Sequence, residues 1–248
     1  MLASIMNIVQ LKCCTLLNDV ILNIVQRGKI VRQTDRHTVL REQLIDAAER
    51  TIGSKGLAAL KARDLAREVG CAVGTIYNVF EHLDELVLCV GSRTLTMLEA
   101  ALAARPTTVG HDSTEEAADD LVRLAIAYLE FAGMHTVRWR ALFEHRMGED
   151  RPLPEWFVEQ QHRLFAQVER PLGTLLPELD RDAHTILART VFSAVHGIAA
   201  LGLDEKLVSL PLPDLAAQLA ATVRAIATGR GELRAIDRSA RPADLRQS

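Results

Sequence analysis

The sequence predicts an all-α protein with an N-terminal three-helix unit followed by a C-terminal helical bundle. Hydrophobic residues make up 48% of the 248 residues and aromatic residues 4%, so alanine and leucine supply most of the apolar content and favour helix over strand. Apolar residues recur at helical spacing along much of the chain, and we find neither convincing strand alternation nor an internal repeat. The length is sufficient for one or two buried cores.

The composition restricts the classes of function. The formal net charge is −3, so any nucleic-acid contact must come from a local cluster of basic residues rather than from the whole chain. The four cysteines contain no Cys-x-x-Cys pair and no ligand-like spacing, which predicts reduced thiols and no metal site.

The first 26 residues are apolar, but they do not predict a membrane-spanning helix. Lys12, Asn18 and Asp19 interrupt the run, which leaves no stretch of about 18 uncharged apolar residues. The basic region of a secretory signal does not precede this run, and the cleavage site of such a signal does not follow it. We therefore expect a cytoplasmic protein with no membrane partner. Residues 1–35 are interpreted as an extension with a basic arm, and either an extra amphipathic helix or a start site assigned too far upstream explains its first part.

Three short helical patterns follow. Leu40, Leu44, Ala48 and Ile52 recur at helical spacing, and the glycines of "GSKG" predict the end of this first helix. A second helix is predicted over about residues 62–69, ending at Gly70, and a third over about residues 73–80. Each is too short to be stable alone, so we expect the three to share one small core.

The third helix predicts a surface that reads DNA. Two helices joined through a glycine, the second with an uncharged polar face, form a helix-turn-helix, whose second helix fits the major groove. In this arrangement the polar face of the second helix contacts the base edges, and basic residues nearby contact the phosphates. The predicted DNA-binding residues are Lys61, Arg63, Gly74, Thr75, Tyr77, Asn78, Val79 and His82, with Val79 placed on the outer face beside Thr75 and Asn78.

This region resembles the TetR family of bacterial transcriptional regulators. The resemblance covers about residues 36–98 and rests on "LIDAAERTIGSKG", "ARDLAREVG" and "GTIYNVFEHLDEL". It implies an all-α homodimer that binds a double-stranded DNA operator through an N-terminal domain, residues 36–98. It also implies a C-terminal regulatory and dimerisation domain, residues 99–229, that binds a small-molecule effector. Residues 230–248 are predicted to be a disordered tail.

Three residues depart from the pattern of the family. Lys61 stands where the family usually has a serine or threonine that caps the second helix, and a lysine side chain does not cap a helix N-terminus. Leu83 replaces a usual lysine, which predicts a shallower salt dependence of DNA binding. Val79 replaces a common histidine or tyrosine, which predicts an apolar groove contact.

The C-terminal part predicts further helices, with caps at Ser113 and Asp180 and an interruption or bend at Pro171. "VFSAVHGIAALGL" resembles the Trp-His-Gly type of C-terminal domain found in part of the TetR family. We predict an effector pocket near Trp139, Phe143, Trp156, Phe157 and His196, although core packing explains most of these rings equally well. Residues 180–203 and the last helix are predicted to pair with their copies in a homodimer, through a face that includes Leu187, Val191 and Leu201.

The sequence offers little support for an enzyme. Glu159 and His162 form one Glu-x-x-His step, whereas a di-iron bundle needs two such steps and two further glutamates. Nucleophile elbows and phosphate-binding glycine loops are absent from the sequence. We therefore predict no catalytic residues, no metal and no cofactor. The predicted function is a ligand-responsive repressor; the alternatives are a helical protein-interaction module and a metal-binding helical-bundle enzyme.

Overall fold

The computed structural model describes residues 36–104, 113–148, 151–204 and 210–229, in which helices are joined by short turns and loops and no strand occurs. The predicted extension over residues 1–35, with its basic arm, and the predicted tail over residues 230–248 lie outside the described residues. The helices are α1 (36–55), α2 (Ala62–Val69), α3 (Val73–Val79), α4 (Leu83–Ala103), α5 (Thr114–Met134), α6 (Thr136–Glu144), α7 (Glu155–Leu175), α8 (Arg181–Gly202) and α9 (Leu212–Thr228). A 3-10 turn, Leu57–Ala59, follows α1.

Local chemistry fixes the ends of several helices. Gly56 and Gly70 have φ values of 81° and 76°, the left-handed conformation in which a side chain is strained, and they follow α1 and α2. The Ser113 side chain accepts a hydrogen bond from the backbone N–H of Glu116 at 3.2 Å, and Asp180 accepts one from Ala183 at 2.9 Å. Both residues act as the predicted helix caps. Lys61 precedes α2 without a side-chain capping bond, as predicted.

The described chain divides into two compact units. The first contains residues 36–50 and 60–86, with a small core to which α1, α2 and α3 contribute Leu44, Leu65, Ile76 and Phe80. The guanidinium of Arg41 lies 4.6 Å from the centroid of the Phe80 ring and donates a 2.7 Å hydrogen bond to Glu85, which ties α1 to the start of α4. The division between the units falls after Leu86, within α4, and the predicted domain boundary at residue 98 stays a prediction.

The second unit contains residues 51–59 and the described residues from Val87 onward, and α5 lies at its centre. This helix packs against α6, α7, α8 and α9, and its Phe131 and Leu129 are almost completely buried. The buried amide of Gln160 links α7 to α4: it accepts a 2.7 Å hydrogen bond from the Ser92 hydroxyl and donates to the Ser92 carbonyl and the Thr96 hydroxyl. A buried amide with these partners fixes the register of α7 on α4.

Two sequence predictions for the second unit need correction. The structure continues α7 through the buried Pro171, so the predicted interruption does not occur, while a bend at this proline stays a prediction. The predicted dimer face of α8 is divided: Leu187 and Val191 are buried in the core of the unit, whereas Leu201 is 62% exposed. The outward stripe runs through Ile186, Thr190, Ser193, Gly197 and Leu201, one turn apart.

Candidate functional site

The turn between α2 and α3 is three residues long. Gly70 adopts the left-handed conformation at φ 76°, and the backbone N–H of Cys71 donates back to the Ala66 carbonyl at 2.9 Å, which closes the end of α2. Ala72 is extended and leads directly into α3 at Val73. A tight glycine turn between two short helices is the geometry of a helix-turn-helix.

The outer side of α3 carries polar groups that the protein itself leaves free. Tyr77 is 50% exposed, Asn78 is exposed and Thr75 is partly exposed. Their side chains form no hydrogen bond to any of the described residues; near Asn78, His37 Nε2 lies 3.3 Å from the backbone carbonyl oxygen. These hydroxyl and amide groups are therefore available to an outside partner.

Gly74, in the first turn of α3, supports the same view of this surface. A Cβ built at Gly74 would meet no protein atom within 4 Å, and the residue does not have the positive φ that requires glycine. Packing within the described chain therefore does not explain a glycine here. A glycine at this position leaves room for a close approach to the backbone of α3.

Val79 is the one predicted contact residue that the structure places elsewhere. It is 9% exposed and lies on the buried side of α3 with Ile76 and Phe80. Positions 76, 79 and 80 are three and four residues apart, so they share one helical face, and the placement of Val79 opposite Ile76 was wrong. His82, just beyond α3, is partly exposed and lies 3.8 Å from the Glu81 carboxylate.

The basic residues beside α3 fall into two groups. Arg50 donates to Glu68 at 2.6 Å and Arg67 to Asp64 at 3.1 Å, so acidic neighbours already neutralise these two. Lys61 and Arg63 are exposed and have no acidic partner among the described residues. Of these four basic residues, Lys61 and Arg63 are therefore the two whose charge no acidic residue of the described chain pairs.

The second unit encloses an apolar cavity of about 290 Å³ among α4, α5, α6, α7 and α8. One side is aromatic, with Tyr128, Phe143, Phe165 and Phe192. The other side consists largely of leucines from α4 and α5, Leu95, Leu98, Leu102, Leu121 and Leu124. Phe143 is 45% exposed, so the cavity reaches the surface beside this ring.

A chain of hydrogen bonds borders the aromatic side. Trp139 Nε1 donates to the Tyr128 hydroxyl at 2.9 Å, and this hydroxyl lies 2.8 Å from His196 Nδ1. Burial lowers the pKa of His196 below its usual value, which keeps the imidazole neutral, and burial raises the pKa of the Tyr128 hydroxyl. A neutral imidazole either accepts the Tyr128 proton at Nδ1 or donates its own Nδ1–H to the hydroxyl oxygen, so the tautomer of His196 sets the direction of this bond.

The five predicted effector residues do not form one site. Phe143 lines the large cavity. The centroid of the His196 ring lies 4.1 Å from the centroid of the Phe143 ring. Trp139 is 1% exposed and belongs to the core, while Trp156 is 42% exposed. Phe157 lines a second, smaller cavity of about 130 Å³, with Arg138 and His145 on its wall. Sequence reasoning missed Tyr128, because a single tyrosine in an apolar helix gives no sign of the partners it will meet.

The comparisons with known proteins cover both units. Residues 44–90 match the family described as bacterial regulatory proteins, tetR family, and residues 121–226 match the tetracyclin repressor-like C-terminal domain. The chain belongs to the TetR family of bacterial transcriptional regulators. The first match contains the α2–α3 turn, and the second begins in α5 and ends in α9.

One curated protein and several solved structures are similar to this chain. An uncharacterized HTH-type transcriptional regulator of Haemophilus influenzae is 38% identical over 65 residues, which is 26% of this chain and 35% of that protein. Thus the match spans about a third of this curated relative. A solved protein of unknown function from Rhodococcus sp. RHA1 has a TM-score of 0.56 and 23% identity, covering 75% of this chain and 93% of that one. A tetR-family regulatory protein from Rhodococcus RHA1 has a TM-score of 0.54 and 14% identity, covering 76% and 96%. Both structures share the fold.

Two further observations concern a membrane role and a metal site. By length and hydropathy alone, α4 and α8 are each able to cross a membrane. Core helices of soluble proteins pass the same test, and both helices contribute buried residues to the second unit, so this property assigns no membrane role. Within the described ranges, no group of three or more His, Cys, Asp or Glu side chains is placed to hold a metal ion.

Proposed function

We propose that this protein is a homodimeric, cytoplasmic transcriptional repressor that a small molecule releases from its operator. The observation that carries the proposal is the outer side of α3. Thr75, Tyr77 and Asn78 present hydrogen-bonding groups that no described residue occupies, next to a helix-turn-helix turn. Hydroxyl and amide groups on a major-groove helix distinguish bases by the donors and acceptors on base edges.

Affinity for the phosphate backbone comes from other residues in this proposal. Lys61 and Arg63 flank the start of α2, are exposed and have no acidic partner among the residues described. Gly74 lets the backbone of α3 approach the DNA closely. Phosphate contacts set the position of the protein and the base contacts select the sequence, so the two groups of residues predict different effects when they are replaced.

The effector acts through α4 in this proposal. The helix is continuous from Leu83 to Ala103, starts four residues after α3 ends, and lines the large cavity with Leu95, Leu98 and Leu102. A molecule in the cavity therefore contacts the helix that continues from the DNA-binding unit. Movement of α4 in each protomer changes the spacing of two α3 helices, which must match half-sites about one DNA turn, ~34–36 Å, apart.

Fluorescence anisotropy with a DNA fragment from upstream of the protein's own gene tests the proposal. Asn78→Ala and Thr75→Ala are each expected to weaken binding of this fragment by about 1–3 kcal/mol and to leave binding of unrelated DNA unchanged. His162→Ala, an exposed change on α7, is the control. If both α3 variants fold and keep full affinity for the fragment, the assignment of the base-reading residues is wrong.

A further inference from the structure

The wall of the large cavity limits what it accepts. Tyr128 and Gln161 are the two described lining residues that carry a polar side-chain atom; the others present hydrocarbon. No arginine, lysine, aspartate, glutamate or histidine is among the residues that line it. A charged group brought into such a cavity loses its hydration and gains no ionic partner, so the wall selects against ions.

The arginines of the neighbouring helix α6 do not change this conclusion. Arg138 points its guanidinium to the Met97 sulfur at 3.0 Å, and Arg140 donates to the Leu203 carbonyl at 3.2 Å. Neither residue lines the large cavity; Arg138 lines the smaller one. Neither arginine of α6 therefore supplies a charge to the wall of the large cavity.

Of the two polar groups in the cavity wall, the Tyr128 hydroxyl already forms hydrogen bonds within the protein. The Tyr128 hydroxyl accepts the Trp139 N–H and shares a 2.8 Å hydrogen bond with His196 Nδ1, so its hydrogen-bonding capacity is largely used within the protein. The Gln161 side chain has no hydrogen-bond partner among the described residues, and its amide offers both a donor and an acceptor. A ligand with one neutral polar group finds its partner at Gln161.

The size and shape of the cavity further restrict the ligands that it can bind. The volume of about 290 Å³ is roughly twice the ~150 Å³ of an engineered apolar cavity that binds benzene. Phe192 meets the rings of Tyr128 and Phe165 edge-to-face, with interplanar angles of 80° and 82°. These edge-to-face contacts hold the three rings together as one aromatic wall, whose faces and edges can pack against a ring of the ligand.

We infer that the effector is an uncharged, mainly hydrocarbon molecule about the size of two aromatic rings, with one hydroxyl or carbonyl that hydrogen-bonds to Gln161. The inference rests on the proposed function for the role of the molecule as an effector. The binding site itself is argued from the cavity alone.

Isothermal titration calorimetry of the full chain with 2-naphthol and 2-naphthoate tests the charge selectivity. The two probes share one ring system, and at pH 7 the first is neutral and the second anionic. We expect 2-naphthol to bind saturably at one site per chain and 2-naphthoate to bind at least about tenfold more weakly, a difference of about 1.4 kcal/mol. Equal affinity for the two probes, or no saturable binding of 2-naphthol, overturns the inference.

Two variants locate the binding. Ala125→Phe places a ring in the cavity and is expected to abolish 2-naphthol binding; circular dichroism checks that the variant is folded. Gln161→Leu changes a partly exposed position, so we expect this variant to fold even if Ala125→Phe does not. It is expected to weaken 2-naphthol severalfold and to leave 2-methylnaphthalene, which lacks a polar group, unaffected. Unchanged binding of 2-naphthol in Gln161→Leu overturns the assignment of Gln161.

DNA binding separates this inference from the proposed function. Saturable 2-naphthol binding with unchanged affinity for the DNA fragment supports the cavity and contradicts the effector-driven release. Failure of the protein to bind any fragment of its own promoter contradicts the proposed function, while the calorimetric comparison of the two probes still decides the chemistry of the cavity.

Discussion

The hydroxyl of Tyr128 on α5 and Nδ1 of His196 on α8 lie 2.8 Å apart, although 68 residues separate them in the sequence. Because the same hydroxyl accepts the Trp139 N–H, one oxygen connects α5, α6 and α8 beside the cavity. The two hydrogen bonds at this oxygen give the aromatic wall a defined geometry.

Tyr128→Phe is expected to lower the free energy of unfolding by about 1–3 kcal/mol, since it leaves the buried N–H of Trp139 without an acceptor. Urea denaturation followed by circular dichroism measures the change. The control is Tyr77→Phe, which removes an exposed hydroxyl with no partner among the described residues and should alter stability little. Equal effects of the two variants would show that the hydrogen-bond chain contributes no stability.

The stability of the protein is expected to depend on the protonation of His196. Its pKa is lowered by burial in the folded state, so the unfolded chain binds this proton more readily. The contribution of His196 is therefore complete above its unfolded pKa of about 6.5 and is lost as the pH falls through the folded pKa. Melting temperatures between pH 8 and pH 5 should fall less in His196→Gln than in the wild type. Parallel curves for the two proteins would contradict the assignment.

Gly74→Ala is expected to separate stability from DNA binding. The added methyl group meets no protein atom within 4 Å, and alanine favours helix over glycine by up to about 1 kcal/mol, so stability should be kept or raised. DNA affinity should fall by about tenfold or more, or about 1.4 kcal/mol, because the methyl group blocks the close approach. In the matched variant Gly70→Ala, the positive φ of residue 70 should instead reduce stability. Unchanged DNA affinity in a folded Gly74→Ala protein would remove the reason proposed for this glycine.

Lys61 and Arg67 are expected to differ in their contribution to DNA affinity. Lys61 has no acidic partner among the described residues, whereas Arg67 is paired with Asp64. Lys61→Ala should weaken binding to all DNA sequences alike and reduce the slope of log K against log salt by about one, as for the loss of one phosphate contact. Arg67→Ala should change the slope less. Anisotropy titrations at several salt concentrations make the comparison, and a larger slope change in Arg67→Ala would contradict it.

The outward stripe of α8 is expected to form the dimer contact. Ile186 and Leu201 are 64% and 62% exposed at its ends, with Ser193 and Gly197 between them. Ser193→Arg places a charge in the middle of the stripe and should convert a dimer to a monomer in sedimentation at micromolar concentration. Val223 lies on the last helix, which the sequence also predicted to pair with its copy, but it is 1% exposed, so a charge there would test folding instead. His162→Arg on α7 is the control, and a dimer that persists in Ser193→Arg would exclude this face.

The sequence by itself determined the features that depend on near neighbours. The glycines after α1 and α2, the caps at Ser113 and Asp180 and the uncharged outer side of α3 are local matters, because a helix end or a helical face is set by residues within one or two turns. The family motif "GTIYNVFEHLDEL" likewise lies within one short segment, residues 74–86. The all-α fold and the assignment to the TetR family follow from these patterns.

The tertiary structure decided which faces meet, and this depends on contacts between distant segments. It placed Val79 and Trp139 in the cores, paired Arg50 with Glu68, and buried part of the face of α8 that was predicted to form the dimer contact. It also set Tyr128 against His196. A periodic pattern gives the angle between side chains on one helix but not the rotation of that helix against its neighbours. Burial and the partners of charged and polar groups depend on that rotation, so the positions of these residues became known only with the packed helices.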